Sequence, residues 1–234
     1  MAENLIDIVK EAGVVGAGGA GFPTHIKLNA QVEYVLVNGA ECEPLIRVDQ
    51  ELLAKRTKEI ITALKAAVEH TGAKKGIIAL KSKYKPAIVA LKREIAHEEN
   101  LEIFEMGNFY PAGDEQVLVY EATGRIVPEG GIPLNVGAIV INVETLYNVY
   151  HAMHDIPVTK TYITITGEVA NPITVKVPIG ITVRETIELA GGSTIDDFVV
   201  IDGGPLMGKV VGIDDPVTKT TKALIVLDKD HPHI

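Results

Sequence analysis

Four short runs, residues 34–37, 77–80, 101–104 and 138–141, are apolar almost throughout, with Glu102 the one break. Runs of that length without alternation suit strands buried on both faces, the pattern of a parallel sheet. Between the first two, Leu53, Ile60, Ile61, Leu64 and Val68 fall on one helical stripe. Ile88, Leu91 and Ile95 repeat the stripe before the third run. Strand and helix periods alternating in this way predict an α/β domain over residues 1–156, a Rossmann-like parallel sheet with helices on both faces.

The texture changes near Pro157. Residues 161–166 and 173–177 are rich in β-branched side chains and flank a turn built on Asn171-Pro172, which predicts a hairpin. A helix over 183–190, closed by Gly191 and Gly192, and further apolar runs at 198–201 and 223–227 complete the set. Hairpin, helix, then strands predict a small β-grasp (ubiquitin-like) domain over residues 157–234.

Charge narrows the function. A formal net charge of -9 supplies no basic surface for phosphate neutralisation, so nucleic acid is not expected as a partner. The lysines and arginines between Lys55 and Lys92 interleave with apolar residues at helical spacing and read as solvated helix faces. No apolar run approaches the ~20 residues needed to span a bilayer, so no direct membrane insertion is expected. The single cysteine, Cys42, has no partner for an internal disulfide, and the N-terminus lacks the layout of a secretory signal, which points to a cytoplasmic protein.

The candidate chemistry lies in loops. Gly16-Ala17-Gly18-Gly19-Ala20-Gly21 has the spacing G-x-G-x-x-G, but a helix over 5–12 precedes it, while Pro23 and then a strand are expected to follow. The bare backbone can admit a flat ring or a phosphate, or can be a flexible turn. Asn38-Gly39-Ala40-Glu41-Cys42-Glu43-Pro44 begins where the first strand ends, the place where open α/β sheets hold ligands. Its carboxylates either line a nucleotide site or face solvent, and Cys42 reads as a packed residue with no histidine nearby to activate it. Asp114 and Glu115 precede a helical stretch and suit its positive end. Asn142 follows the last apolar run as Asn38 follows the first, so both asparagines are turn or cap residues, or amides for the polar edge of a ring. His231 and His233 at the chain end have metal-ligand spacing, although a frayed tail is the simpler reading.

In order along the chain, GAGGAGFPTHIKL, NGAECEP, YPAGDEQVL and NVETL resemble the flavoprotein family that contains the NADH-binding subunit of respiratory complex I and the C subunit of Rnf complexes. The longer wording GVVGAGGAGFPTHIKL, ECEPLIRVDQ and YPAGDEQVLVYEATGRIVPEGGIPLNVG is nearest to the Rnf C subunits and the cobalamin reductases of propanediol-utilising microcompartments. Residues 159–192 resemble the family's soluble-ligand-binding β-grasp (SLBB) domain.

The resemblance implies an oxidoreductase of electron transport that takes hydride from NADH onto FMN and passes electrons to iron-sulfur centres. By position, Gly16, Gly18, Gly19, Gly21 and Lys27 would cradle flavin and phosphate, and Asn38, Asn142 and Thr145 would bind the ring or ribityl chain. Phe22, Glu43 and Glu115 match positions that contact the nicotinamide nucleotide, and Glu41, Gly113 and Asp114 complete the cofactor-binding set. No side chain is expected to be catalytic in its own right, because orientation and a water-poor site are what the protein supplies. The complex I pattern carries arginine at Ala17 and Asp-Glu-Gly-Glu at residues 40–43, so two charges are missing here. With one cysteine, the chain cannot build an iron-sulfur cluster, which implies a truncated or shortened subunit. Clusters are then expected in a missing domain or partner, among other subunits of an electron-transfer complex, either peripheral to a membrane or inside a bacterial microcompartment. The competing expectation is a docking or ligand-binding module for a corrinoid or partner subunit, with a degenerate nucleotide site.

Overall fold

The computed structural model describes residues 4–232. His233 lies outside the described residues, and with it the terminal metal-spacing expectation. The chain divides into two compact units. Unit 1 contains residues 4–16, 22–42 and 49–158, and unit 2 contains 17–21, 43–48 and 159–232.

Unit 1 runs α1 (Leu5–Glu11), α2 (Thr24–Leu28), β1 (Tyr34–Gly39), α3 (Val48–Lys55), α4 (Thr57–Thr71), β2 (Lys75–Lys81), α5 (Lys85–Glu94), β3 (Leu101–Met106), α6 (Glu115–Thr123), β4 (Ala138–Asn142) and α7 (Val143–Ala152). The four strands form one parallel sheet in the order β3-β2-β1-β4. Leu36, Ile77, Ala79, Ala138 and Val140 pack with Leu118 and Val119 of α6. The alternate strand residues Val35, Val37, Ile78, Leu80, Ile139 and Ile141 are buried as well. A period of two puts this second set on the opposite face, and α4 and α7 pack on each other and on β1. Helices therefore cover both faces, as the unbroken apolar runs require.

Two local expectations are corrected. The stripe from Leu53 to Val68 is broken at Arg56, whose backbone (φ -127°, ψ 29°) leaves the helical region, so Leu53 belongs to α3 and the rest to α4. A helix, not a strand, follows the glycine loop: Pro23 supplies φ -61° ahead of Thr24, and α2 runs to the buried Leu28 before β1 starts at Tyr34.

Unit 2 contains β5 (Lys160–Gly167), β6 (Ile173–Pro178), α8 (Val183–Glu188), β7 (Phe198–Asp202), β8 (Lys209–Val211) and β9 (Ala223–Asp228), in the sheet order β6-β5-β9-β7-β8. The β5–β6 hairpin is antiparallel, and β5 pairs parallel with β9 at the sheet centre, the arrangement of a β-grasp. Ile163, Ile165, Val200, Leu224 and Val226 pack with Val183 and Ile187 of α8. Thr182 caps α8 reciprocally with Glu185, whose carboxylate accepts the Thr182 N–H at 3.0 Å.

Candidate functional site

In unit 1 the chain steps from β1 outward to β2 and β3, then returns to place β4 on the other side of β1. The carboxyl ends of β1 and β4 thus bracket a topological switch point, where open α/β sheets leave a crevice. Asn38 and Asn142 end those strands as register partners. The Asn38 side-chain oxygen accepts the Ala40 N–H at 3.1 Å, and its Nδ2 donates to the Gly113 carbonyl at 2.8 Å. Asn142 caps α7, its Oδ1 accepting the N–H groups of Glu144 at 2.9 Å and Thr145 at 3.3 Å. Its Nδ2 donates to Oδ2 of the buried Asp49 at 2.7 Å. The turn and cap roles are therefore real, yet each amide nitrogen retains a second N–H beyond these bonds.

Gly113 is held at the end of this arrangement by contact. A Cβ there would overlap the Ala40 carbonyl and stand 3.0 Å from Cys42 Sγ. The Gly113 N–H donates to that sulfur at 2.9 Å, so the loop after β1 and the loop before α6 are joined at Asn38, Ala40, Cys42 and Gly113. Asp114 caps α6 by accepting from the N–H groups of Gln116 and Val117, as its place ahead of a helix suggests. Glu115, the first residue of α6, pairs with Lys27 Nζ at 3.0 Å, and the same ammonium donates to the Val140 carbonyl of β4 at 2.7 Å. Phe22 is half exposed with the Lys27 ammonium 6.0 Å from its ring centre. Lys27, Phe22, Glu115, Asn38, Asn142 and Gly113 are thus all on unit 1, while Thr145 is buried in the first turn of α7.

The neck of the glycine loop also belongs to unit 1. Gly16 donates to the Phe22 carbonyl at 2.9 Å and Val15 bridges Pro23. The tip, residues 17–21, belongs to unit 2. There Gly18, Gly19 and Gly21 have φ of 79°, 88° and 66°, and a Cβ built on Gly19 meets no atom within 4 Å. Glycine is required at Gly19 by conformation alone, and the space a side chain would fill is open. The buried Lys222 runs beside Gly18, a neighbour that the sequence did not suggest. Glu43 is likewise on unit 2, where its Oε2 accepts the Leu206 N–H at 2.9 Å.

Burial raises the Cys42 thiol above its ordinary value, against the hydrogen bond from Gly113 and the charge of Lys81. This fits a packed sulfur and not a nucleophile. Tyr84, just beyond β2, is pushed up to about 12, first by burial and then by the charges of Glu41, Asp49 and Cys42. Asp49, Lys81 and Tyr84 are members of this edge that sequence reasoning missed. Among the described residues no group of three or more His, Cys, Asp or Glu side chains is placed to hold a metal ion.

Residues 9–151 match the Nuo51 FMN-binding domain, and residues 162–210 match the SLBB domain. The chain belongs to the Nuo51 FMN-binding domain family. This Nuo51-family chain is similar to the cobalamin reductase PduS of Salmonella typhimurium (strain LT2), 48% identical over 235 residues that cover 100% of the chain and 52% of that protein. It is 36% identical over 240 residues to the C subunit of the Na(+)-translocating ferredoxin:NAD(+) oxidoreductase complex of Acetobacterium woodii, covering 100% of the chain and 54% of that relative. The chain thus spans about half the length of the curated relatives it matches. An NAD+-reducing NiFe-hydrogenase crystallised in the H2-reduced state shares the fold, with a TM-score of 0.80 and 24% identity over 96% of this chain and 46% of that one.

Proposed function

We propose that this chain is the FMN-binding module of an NADH-dependent oxidoreductase, passing electrons to iron-sulfur centres in a further domain or a partner subunit. The observation that carries the reading is the register pairing of Asn38 and Asn142 at the switch point of a sheet within the FMN-binding family match. The residues fit the group: two fixed amides with N–H groups to spare suit the polar edge of a heteroaromatic ring, and Lys27 brings positive charge to the same unit. FMN, when bound, supplies the acceptance of hydride and its release as single electrons. Phe22 offers an aromatic face and Glu115 a carboxylate for the nicotinamide nucleotide. Gly18, Gly19, Gly21 and Glu43 on unit 2 are separate assignments from family resemblance, each open to its own substitution. Similarity to a cobalamin reductase and to an Rnf-type subunit supports partners within an electron-transfer complex. Among the described residues no helix is long and apolar enough to cross a membrane.

The test is reconstitution of the purified chain with FMN, followed by NADH without oxygen. Bleaching of the flavin absorbance is expected; a chain that binds no FMN, or whose bound FMN stays oxidised, contradicts the reading.

A second reading rests on unit 2. Its match to the SLBB domain supports a docking or ligand-binding role toward a corrinoid or a partner subunit. Tight corrinoid binding by a chain that takes no FMN would favour it.

A further inference from the structure

Lys81 ends β2, in register with Met106 of β3, directly after the pairing of Leu80 with Gly39 of β1. Strands flank β2 on both sides, so Lys81 stands within the carboxyl edge of the sheet and not at its rim. Only 6% of the residue is exposed. Lysine is rarely buried to that degree unless paired, because desolvating an ammonium costs several kcal/mol that a counter-charge must offset. The pattern in this chain is the reverse. Lys74, Lys75 and Lys92 reach glutamates at 2.7 to 3.0 Å although half or more of each side chain is exposed. Lys81 makes no side-chain hydrogen bond or ion pair with any other described residue.

Its neighbours are polar and charged groups of the same sheet edge. The charge of Lys81 reaches Cys42, whose sulfur accepts the Gly113 N–H, and Gly113 in turn accepts from Asn38. Tyr84 donates its N–H to the Lys81 carbonyl at 2.9 Å, and its ring lies in the field of Glu41 and Asp49. The stem of Lys81 is buried while its unpaired ammonium keeps contact with solvent, at the same carboxyl edge as the Asn38–Gly113–Cys42 bonds, so the charge is open to an anion from outside.

We propose that Lys81 is an anion-recognition residue of this edge, its ammonium taking the negative charge that FMN brings to unit 1, on the phosphate or on the ring in its reduced form. This rests on the FMN reading above. The ligand chemistry is the same in both cases and the sources are separable.

The experiment compares wild type, K81M and K81R by titration with FMN and with riboflavin, and by the flavin midpoint potential. If the phosphate is the partner, K81M weakens FMN on the order of 10- to 100-fold and leaves riboflavin unchanged, as loss of a charged hydrogen bond requires. If the reduced ring is the partner, oxidised FMN and riboflavin bind K81M as they bind wild type. A tenfold loss of preference for the reduced form then lowers the two-electron midpoint by about 30 mV. K81R restores most of either effect. Methionine matches the lysine stem without its charge, so K81M is expected to fold; should it not, K81Q carries the same comparison. A charge-neutral variant with wild-type FMN affinity and wild-type midpoint overturns the proposal while leaving the FMN reading intact. A wild type that binds no FMN overturns both.

Discussion

Asn38 and Asn142 are register partners on adjacent parallel strands, and each anchors a different neighbour: Asn38 holds Gly113 and Asn142 holds Asp49. The two side chains therefore tie the ends of β1 and β4 to the loop before α6 and to α3.

Removing Asn142 should cost stability apart from any ligand. N142A loses the cap of α7 and the bond to a buried carboxylate, together about 2 kcal/mol. N142D keeps a capping oxygen but sets a second carboxylate against Asp49, and should be no more stable than N142A. Urea unfolding checks both, and an N142D chain as stable as wild type would refute the role of the Asp49 bond.

Gly113 and Gly19 separate packing from conformation. A methyl at Gly113 enters the Ala40 carbonyl, so G113A should lose about 2 to 3 kcal/mol or fail to fold. G19A meets open space and bears only the cost of a positive φ, about 1 kcal/mol. Thermal unfolding of the two variants should rank them in that order. A larger effect of G19A on FMN affinity than on stability would support a ligand role for the loop.

Much of this edge was legible and part of it was not. Unbroken apolar runs exposed the parallel sheet, and β-branched runs around Asn171-Pro172 exposed the hairpin, because burial on both faces and turn chemistry leave local marks. Asn38 and Asn142 were visible as residues that end strands. Their partners were not, since Gly113 lies 75 residues from Asn38 and Asp49 lies 93 residues from Asn142. Lys81 and Tyr84 sit in KSKYK, which reads as a solvated charge cluster until the sheet buries its first and fourth residues. The short β8 has exposed positions and no apolar run to announce it. The helix α2 was hidden because a Pro followed by five mixed residues carries no full helical period.

Alkaline stability should depend on Tyr84. Its folded value of about 12 lies above the ordinary phenol value of 10.0, so the folded chain keeps the phenol proton after the unfolded chain has lost it. That contribution is fully present below about pH 10 and is lost as pH rises toward 12. Y84F should unfold less readily than wild type across that window relative to their difference at neutral pH. Equal pH profiles for the two would count against the buried phenol.

Cys42 should be slow to react. Burial holds its thiol above the ordinary value and the Gly113 N–H occupies the sulfur. Alkylation by iodoacetamide at neutral pH is expected to be at least about tenfold slower in the folded chain than in urea, in keeping with the low thiolate fraction of a partly buried thiol whose pKa is raised. Comparable rates would show an accessible, activated cysteine.

The most direct test of the FMN assignment follows the side-chain amide resonances of Asn38 and Asn142 in isotopically labelled protein as FMN is added. FMN is expected to bind saturably, with both amide signals shifting along the same binding curve. FMN that binds while both signals stay in place, or no binding at all, would contradict the assignment.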